Sequence, residues 1–357
     1  MNSDIKNSEI DKLFSRGVEE FIDPEGKFKE KILRKAKGEY EEDIIIKFGV
    51  DPTRPDIHLG HAVIFRKLRK FQDLGCKVVF LVGDYTAQIG DPTGRSKIRP
   101  EIEQKEVEAN MKTYLDQVGK ILMTDKNSFS WIRNSDWFTA ITDIELPKGD
   151  KVKMSIEKEG KKTDIDFEAN SFVGKAVVFE KTRMQPTASG FKGAISIITL
   201  KSLLWTLKHI THSRLIERDM FQERIKSGKE LFMHEMLYPV LQGVDSYVIS
   251  EIYGDCDLEI GGTDQMFNML IGRDIMKINK KESQAVMSLK LLEGTDGKEK
   301  MSKSLDNYIA ITDEPNDMYG KIMSLPDTSI VNYFNLCTYA PTDEIKNQRH
   351  WRLPTNA

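Results

Sequence analysis

Cysteine is nearly absent: Cys76, Cys256 and Cys337 are the 3 thiols among 357 residues, scattered and odd in number. That excludes a disulfide framework and fits a reduced compartment. A large excess of charge of either sign is missing as well, since 53 lysines and arginines oppose 56 aspartates and glutamates for a net charge of −3. A chain coated in basic surface is excluded, although a local stripe that grips RNA can exist inside a balanced total. No apolar run approaches the roughly 20 residues of a membrane-spanning helix, and residues 1–12 carry acidic groups without an apolar centre. Neither a span nor a leader is expected, and the expectation is a soluble cytoplasmic protein with no membrane contact. What is present is enough apolar material, 39% of residues, for a substantial core: one large domain with attachments.

The most informative stretch is 51–61, Asp-Pro-Thr-Arg-Pro-Asp-Ile-His-Leu-Gly-His. Before it, Ile44, Ile45, Ile46, Phe48 and Val50 make a β-branched, aromatic run of strand length that Pro52 and Pro55 bring to an end. After it, Ala62, Val63, Ile64, Leu68 and Phe71 recur at helical spacing, and Gly75 sits where a left-handed cap closes the helix. Residues 78–82 then read as a second buried strand. The unit is strand, loop, helix, strand, with His58 and His61 in the first helical turn. In open α/β sheets ligands bind beyond the carboxyl ends of strands, and a helix N-terminus offers free amides to an anion, so a phosphate is the expected guest. Gly60 leaves room for a close approach, while two imidazoles three apart face one side and can donate to phosphate oxygens. The same His-x-x-His spacing also fits a metal pair or a plain polar helix start, but no third ligand lies near, and no metal site is expected. His209 and His212 share the spacing without strand, proline loop or glycine and read as solvated surface.

A second signal lies far along the chain. Lys300-Met301-Ser302-Lys303-Ser304 follows the turn-forming stretch 293–298, placing two lysines and two hydroxyls on a loop. Such a loop is either a solvated surface run or a phosphate clamp, because lysine is a compact charge on a flexible stem that can follow charge onto a leaving group. Three further patterns carry chemistry. Residues 83–96 are dense in glycine and acid where a strand hands over to a loop, and Asp91-Pro92 there fits either an ordinary turn or a site for a ligand ammonium. Tyr238, Gln242 and Asp245 share one helical face amid apolar residues, which fits a core hydrogen-bond network or the wall of a pocket. Gly261, Gly262, Asp264 and Gln265 follow a short strand over 256–260, a pattern that lets backbone approach a ligand with an acid beyond it for ribose hydroxyls.

Together, the His58 to His61 and Lys300 to Ser304 motifs resemble the two signatures of the class I aminoacyl-tRNA synthetases, and residues 43–327 are similar in particular to the bacterial-type tyrosyl branch. The resemblance implies an α/β fold with a Rossmann-type parallel sheet that activates tyrosine with ATP, releases pyrophosphate and passes the tyrosyl group to tRNA(Tyr). It implies Mg2+ accompanying ATP, and a homodimer. By the same resemblance Thr53, His58, His61, Lys300 and Lys303 are the catalytic set, with Asp51, Gly60, Gly261, Gly262 and Ser302 beside ATP. Arg95 and Arg99 reach toward pyrophosphate, and Asp264 holds the ribose. Asp91 takes the α-amino group of tyrosine, with Tyr238 and Gln242 at its amino end, Gln265 on the tyrosine side of the adenylate, and Asp245 at the phenolic hydroxyl. The implied chemistry is in-line attack of an ionised carboxylate on the α-phosphorus, which needs no base. Relatives place a second tyrosine against the phenol where this chain has Lys47, and often an aromatic at Val244. A tryptophanyl-tRNA synthetase shares the fold and both signatures, although the Tyr238, Gln242, Asp245 spacing favours a phenol. A catalytically idle relative kept for RNA binding is a third reading, against which the intact lysine motif argues.

The expected organisation is an N-terminal helical segment over 1–40, where Phe14, Val18, Phe21, Ile22, Ile32 and Leu33 recur among charges, a catalytic domain over 41–320, and a shortened start of a helical anticodon-binding domain over 321–357. The family pattern lapses over 143–196. There Val152, Met154, Ile156, Ile165 and Phe167 alternate with polar residues around a turn, a hairpin signature, and 176–179 reads as another strand. Between residues 143 and 183 nine basic residues cancel nine acidic ones, which favours a stability or subunit-contact role for this β insertion over an RNA grip.

Overall fold

The computed structural model describes residues 10–92, 102–138, 151–158, 161–168 and 200–346. Arg95, Arg99 and the strand expected over 176–179 lie outside the described residues. In chain order the strands are β1 (Val18–Ile22), β2 (Ile45–Val50), β3 (Lys77–Val82), β4 (Phe129–Arg133), β5 (Lys151–Lys158), β6 (Lys161–Glu168), β7 (Leu258–Gly262) and β8 (Ala285–Leu289). The helices that matter here are α1 (Lys27–Lys37), α2 (Leu59–Asp73), α3 (Gln104–Val118), α4 (Met233–Tyr253), α5 (Met266–Ile278) and α6 (Asp327–Cys337).

Six strands form one sheet in the order β1-β8-β7-β2-β3-β4. Neighbouring strands from β8 to β4 are parallel, and β1 closes the edge antiparallel to β8. The apolar runs are continuous rather than alternating because both faces are covered. Ile46, Phe48, Val78 and Phe80 pack on one side with Val63, Phe65, Leu68 and Phe71 of α2. Ile45, Val79 and Leu81 pack on the other with α4 and α5, through Val240, Val244, Ile271 and Ile275. Helix α2 stops where expected: Gly75 takes φ +86°, a conformation that costs glycine nothing, and its amide bonds back to the Gln72 carbonyl at 2.8 Å.

The chain leaves β2 through α2 to β3 on one side, and much later β7 docks on the other side of β2. That reversal opens a crevice beyond the carboxyl ends of β2 and β7. It also sets Lys47 directly opposite Glu259 in the register of the two strands.

One expectation is corrected. Val18, Phe21 and Ile22 belong to strand β1 rather than to an amphipathic helix, because their partner is the distant β8 and the pairing lies outside any local pattern. Helix α1 does form, burying Phe28 and Ile32. The hairpin signature corresponds to β5 and β6, an antiparallel pair separate from the main sheet. Near the end, α6 seats Tyr333 and Leu336 in the first core, and Arg16 binds four of the carbonyls at its close, those of Phe334, Asn335, Thr338 and Ala340.

Candidate active site

The crevice is a cleft of about 280 Å³ beyond the ends of β2 and β7. His58, Gly60 and His61 reach it from the start of α2, and Lys300, Ser302 and Lys303 from the loop on the other side. Asp51, Thr53, Asp91, Tyr238, Gln242 and Asp245 line it too. So do Gly261, Gly262, Asp264 and Gln265, which complete the expected set among the described residues.

The two histidines sit ring against ring, with centroids 4.0 Å apart. His58 caps α2, and its amide donates to Nδ1 of His61 at 3.4 Å, which leaves the other nitrogen of a neutral His61 to carry the proton. Burial pushes the His58 imidazole down to about 3, with the Lys303 and Lys300 ammonium groups adding to the effect. Burial holds His61 well below its ordinary value too, followed by the charges of His58 and Lys303. The imidazoles are therefore neutral donors, and the positive charge of the cleft comes from the lysines. Among the described residues Nδ1 of His58 is buried without a partner. Gly60 is required by proximity: a Cβ there would lie 2.9 Å from Cε1 and 3.0 Å from Nδ1 of His58.

Both lysines have resting partners. Lys300 forms an ion pair with Asp264, and Lys303 donates to the Tyr114 hydroxyl at 2.9 Å and the Arg54 carbonyl at 3.3 Å. Asn307 pins the loop by accepting from the Ser302 amide at 2.8 Å and donating to Asp296 at 2.8 Å. Downstream the chain is joined to the start of α2, because the Leu59 amide donates to Ile309 and the Ile311 amide to Ile57, both at 2.9 Å. The two motifs, far apart in sequence, thus share one backbone ladder.

The cleft also holds a polar network. Tyr238 and Thr86 each donate to Asp51 at 2.8 Å. Asp91 accepts from Gln265 at 2.6 Å and faces the Arg218 guanidinium at 3.6 Å. Asp245 lies deeper and accepts from the Trp137 indole at 2.9 Å and Asn134 at 3.4 Å. Burial pushes its carboxyl up to about 7, against the opposing pull of Lys47, Trp137 and Asn134. Lys47 is fully buried and forms an ion pair with Glu259 at 2.9 Å. Sequence reasoning passed over Glu259, Trp137, Asn134, Thr86 and Tyr114. The available signal for the first was a charge inside each of two apolar strands, Lys47 in β2 and Glu259 in β7.

Among the described residues no three histidine, cysteine, aspartate or glutamate side chains gather as a metal site. No helix among them is long and apolar enough to cross a membrane. His209 and His212 are exposed, as expected.

The chain is similar to known proteins. The model of a family described as tRNA synthetases class I (W and Y) matches residues 39–146 and 168–356, leaving out most of the β5–β6 hairpin. The tyrosine–tRNA ligase of Deinococcus radiodurans is 39% identical over 334 residues, 94% of this chain and 64% of that protein. That of Burkholderia lata is 37% identical over 330 residues, 92% of this chain and 64% of that protein. The chain thus spans less than two thirds of the length of either relative. Among solved structures, a C-terminally truncated mitochondrial tyrosyl-tRNA synthetase from Aspergillus nidulans shares the fold with a TM-score of 0.62 at 19% identity, over 98% of this chain and 86% of that one. A tyrosyl-tRNA synthetase from Archaeoglobus fulgidus, complexed with L-tyrosine, does so with a TM-score of 0.58 at 18% identity, over 92% of this chain and 80% of that one.

Proposed function

We propose that this chain, which belongs to the class I tRNA synthetases of the W and Y group, activates tyrosine with ATP to tyrosyl-adenylate and pyrophosphate and serves the transfer of the tyrosyl group to its tRNA. The observation that carries this reading is the meeting of His58, His61, Lys300 and Lys303 in one cleft that a polar network suited to an amino acid also lines.

In the reaction, a carboxylate oxygen of tyrosine forms a bond to the α-phosphorus of ATP while the bond to the pyrophosphate oxygen breaks. The attacking oxygen is already ionised, so the protein positions and stabilises charge rather than moving a proton. The neutral imidazoles of His58 and His61, with Thr53, donate to phosphate and ribose oxygens from one side. Lys300 and Lys303 exchange their resting partners for the leaving pyrophosphate from the other. Gly60, Gly261 and Gly262 let the nucleotide close on the backbone beside Asp51 and Ser302, and Asp264, once Lys300 departs, accepts from the ribose. Arg95 and Arg99 serve the same pyrophosphate. Asp91, Tyr238, Gln242 and Gln265 receive the ammonium end, and Asp245 accepts from the phenol. Mg2+ would be held by the phosphates of the substrate ATP and would offset charge developing on the leaving pyrophosphate.

Amino-acid-dependent exchange of pyrophosphate into ATP tests the reading, with tyrosine, tryptophan and phenylalanine in parallel. Exchange with tyrosine alone is expected. Exchange with tryptophan and none with tyrosine would overturn the substrate, and none with any of the three would overturn the reaction.

A further inference from the structure

Lys47 looks at first like a replacement donor for the phenol, but its geometry leaves nothing to give. Its ammonium has three N–H groups, and they meet the Gln242 carbonyl at 2.8 Å, the Ser246 hydroxyl at 2.8 Å and the Glu259 carboxylate at 2.9 Å. Glu259 is equally occupied. One oxygen accepts from Lys47 and from the Gln242 amide at 3.1 Å, the other from Ser246 at 3.0 Å and Gln284 at 3.2 Å. Four donors fill the lone pairs of a carboxylate.

This pairing dictates which way the next amide turns. Beside an acceptor-only carboxylate, Gln242 must present its NH2 group to Glu259, so its carbonyl oxygen Oε1 faces away. That oxygen accepts from Asn268 at 3.0 Å. Asn268 gives its other N–H to Oε1 of Gln265 at 2.9 Å, and Gln265 in turn donates to Asp91 at 2.6 Å. Asn268 is fully buried, and among the described residues its own carbonyl oxygen has no partner. Gln242, Gln265 and Asp91 line the cleft, so two amide oxygens and a carboxylate meet there, which suits a cation with several N–H groups.

We infer that the Lys47–Glu259 pair is a positioning device for the ammonium end of the amino acid: it sets the direction of the hydrogen bonds running through Gln242, Asn268 and Gln265 to Asp91 and makes no contact with the phenol. The inference rests on the reading of this cleft as an amino-acid site. A buried ion pair is weak as a source of stability but well able to select one arrangement among several. Without the carboxylate, Gln242 and Asn268 can turn over, and donors then face the ammonium.

The test compares ligands that share the phenol but differ at the amino end: tyrosine, tyramine, which keeps the ammonium, and 3-(4-hydroxyphenyl)propanoate, which lacks it. In Glu259→Gln, KM for tyrosine should rise about 10- to 100-fold with kcat within about threefold, as expected when one or two charge-assisted hydrogen bonds are lost. Inhibition by tyramine should weaken in parallel, and inhibition by the propanoate should stay within about threefold. If Glu259→Gln fails to fold, the double variant Lys47→Met/Glu259→Gln leaves no buried charge unpaired and carries the same expectation. Equal weakening of all three ligands would reduce the pair to a structural staple and overturn the inference, as would no weakening of any. A wild-type protein that binds neither tyrosine nor tyramine would instead overturn the reading of the site.

Discussion

Replacing Gly60 by alanine separates folding from activity more cleanly than any other change at the cleft. Two terms oppose each other in stability. Alanine is favoured over glycine in a helix by up to about 1 kcal/mol. Against this, the new Cβ would lie 2.9 Å from the His58 ring and 3.7 Å from Cβ of Met301, and the only group that must give way is an imidazole with two rotatable bonds. Turning such a side chain off its preferred rotamer costs roughly 0.5–1.5 kcal/mol. The sum is near zero, so the denaturation midpoint of Gly60→Ala should match the wild type closely. Activity does not share this cancellation, because His58 lines the cleft that is proposed to receive the triphosphate. Displacement of a positioning group by about 1 Å costs on the order of 100-fold in rate. Tyrosine-dependent pyrophosphate exchange should therefore fall by that order while tyrosine affinity, read by fluorescence titration, stays unchanged. A folded variant that exchanges at the wild-type rate would refute the argument that this glycine exists to seat the imidazole.

Lys303→Ala should lower the exchange rate by about 10²–10³, the usual effect of deleting a donor to developing charge, with little change in tyrosine affinity; unchanged exchange would remove the residue from the chemistry. In the ligand-free protein the His58 imidazole should not titrate between pH 5 and 8 when followed by NMR, since burial holds it at about 3, and His61 should titrate well below its ordinary value. The folded His58 binds protons less readily than unfolded histidine, so its contribution to stability is present above about pH 6.5 and is lost as pH falls toward the folded value of about 3. Asp245 acts in the opposite direction. Its folded carboxyl, raised from 3.8 to about 7, favours the fold fully below pH 3.8 and ceases to do so as pH rises through 7. Asp245→Asn keeps an acceptor for Trp137, so urea denaturation should show a gain in stability at pH 8 relative to pH 4, measured against wild type. The same variant should discriminate less between tyrosine and phenylalanine, and undiminished selectivity would take Asp245 away from the phenol.

Strands covered on both faces were readable from residue type alone: the run over 44–50 became β2 and that over 78–82 became β3, each displaced by no more than a residue at its start. Strand β1 was not, because Val18, Phe21 and Ile22 with two glutamates between them fit one face of a helix as well as a half-covered strand. Only its pairing with β8, distant in the sequence, decides the matter. The cleft divides in the same way. His58, His61, Lys300 and Lys303 stood out because each pair is local and unusual in composition. The Lys47–Glu259 pair was hidden because β2 and β7 become neighbours only through the reversal of strand order. Lys47 alone could be noticed, as a charge in an apolar run, but its partner could not be assigned. Likewise Asp245 was legible as a polar residue on the inner face of α4, whereas Trp137 as its donor was not.

The resting partners of Lys300 and Lys303 bear on how the cleft meets a polyanion. An approaching triphosphate does not find two bare cations. It must draw one away from Asp264 and the other from a phenol and a backbone carbonyl. Its capture is thus a trade of one set of close contacts for another, and added salt, which weakens old and new contacts alike, should alter nucleotide affinity less steeply than at a site whose lysines stand in open solvent.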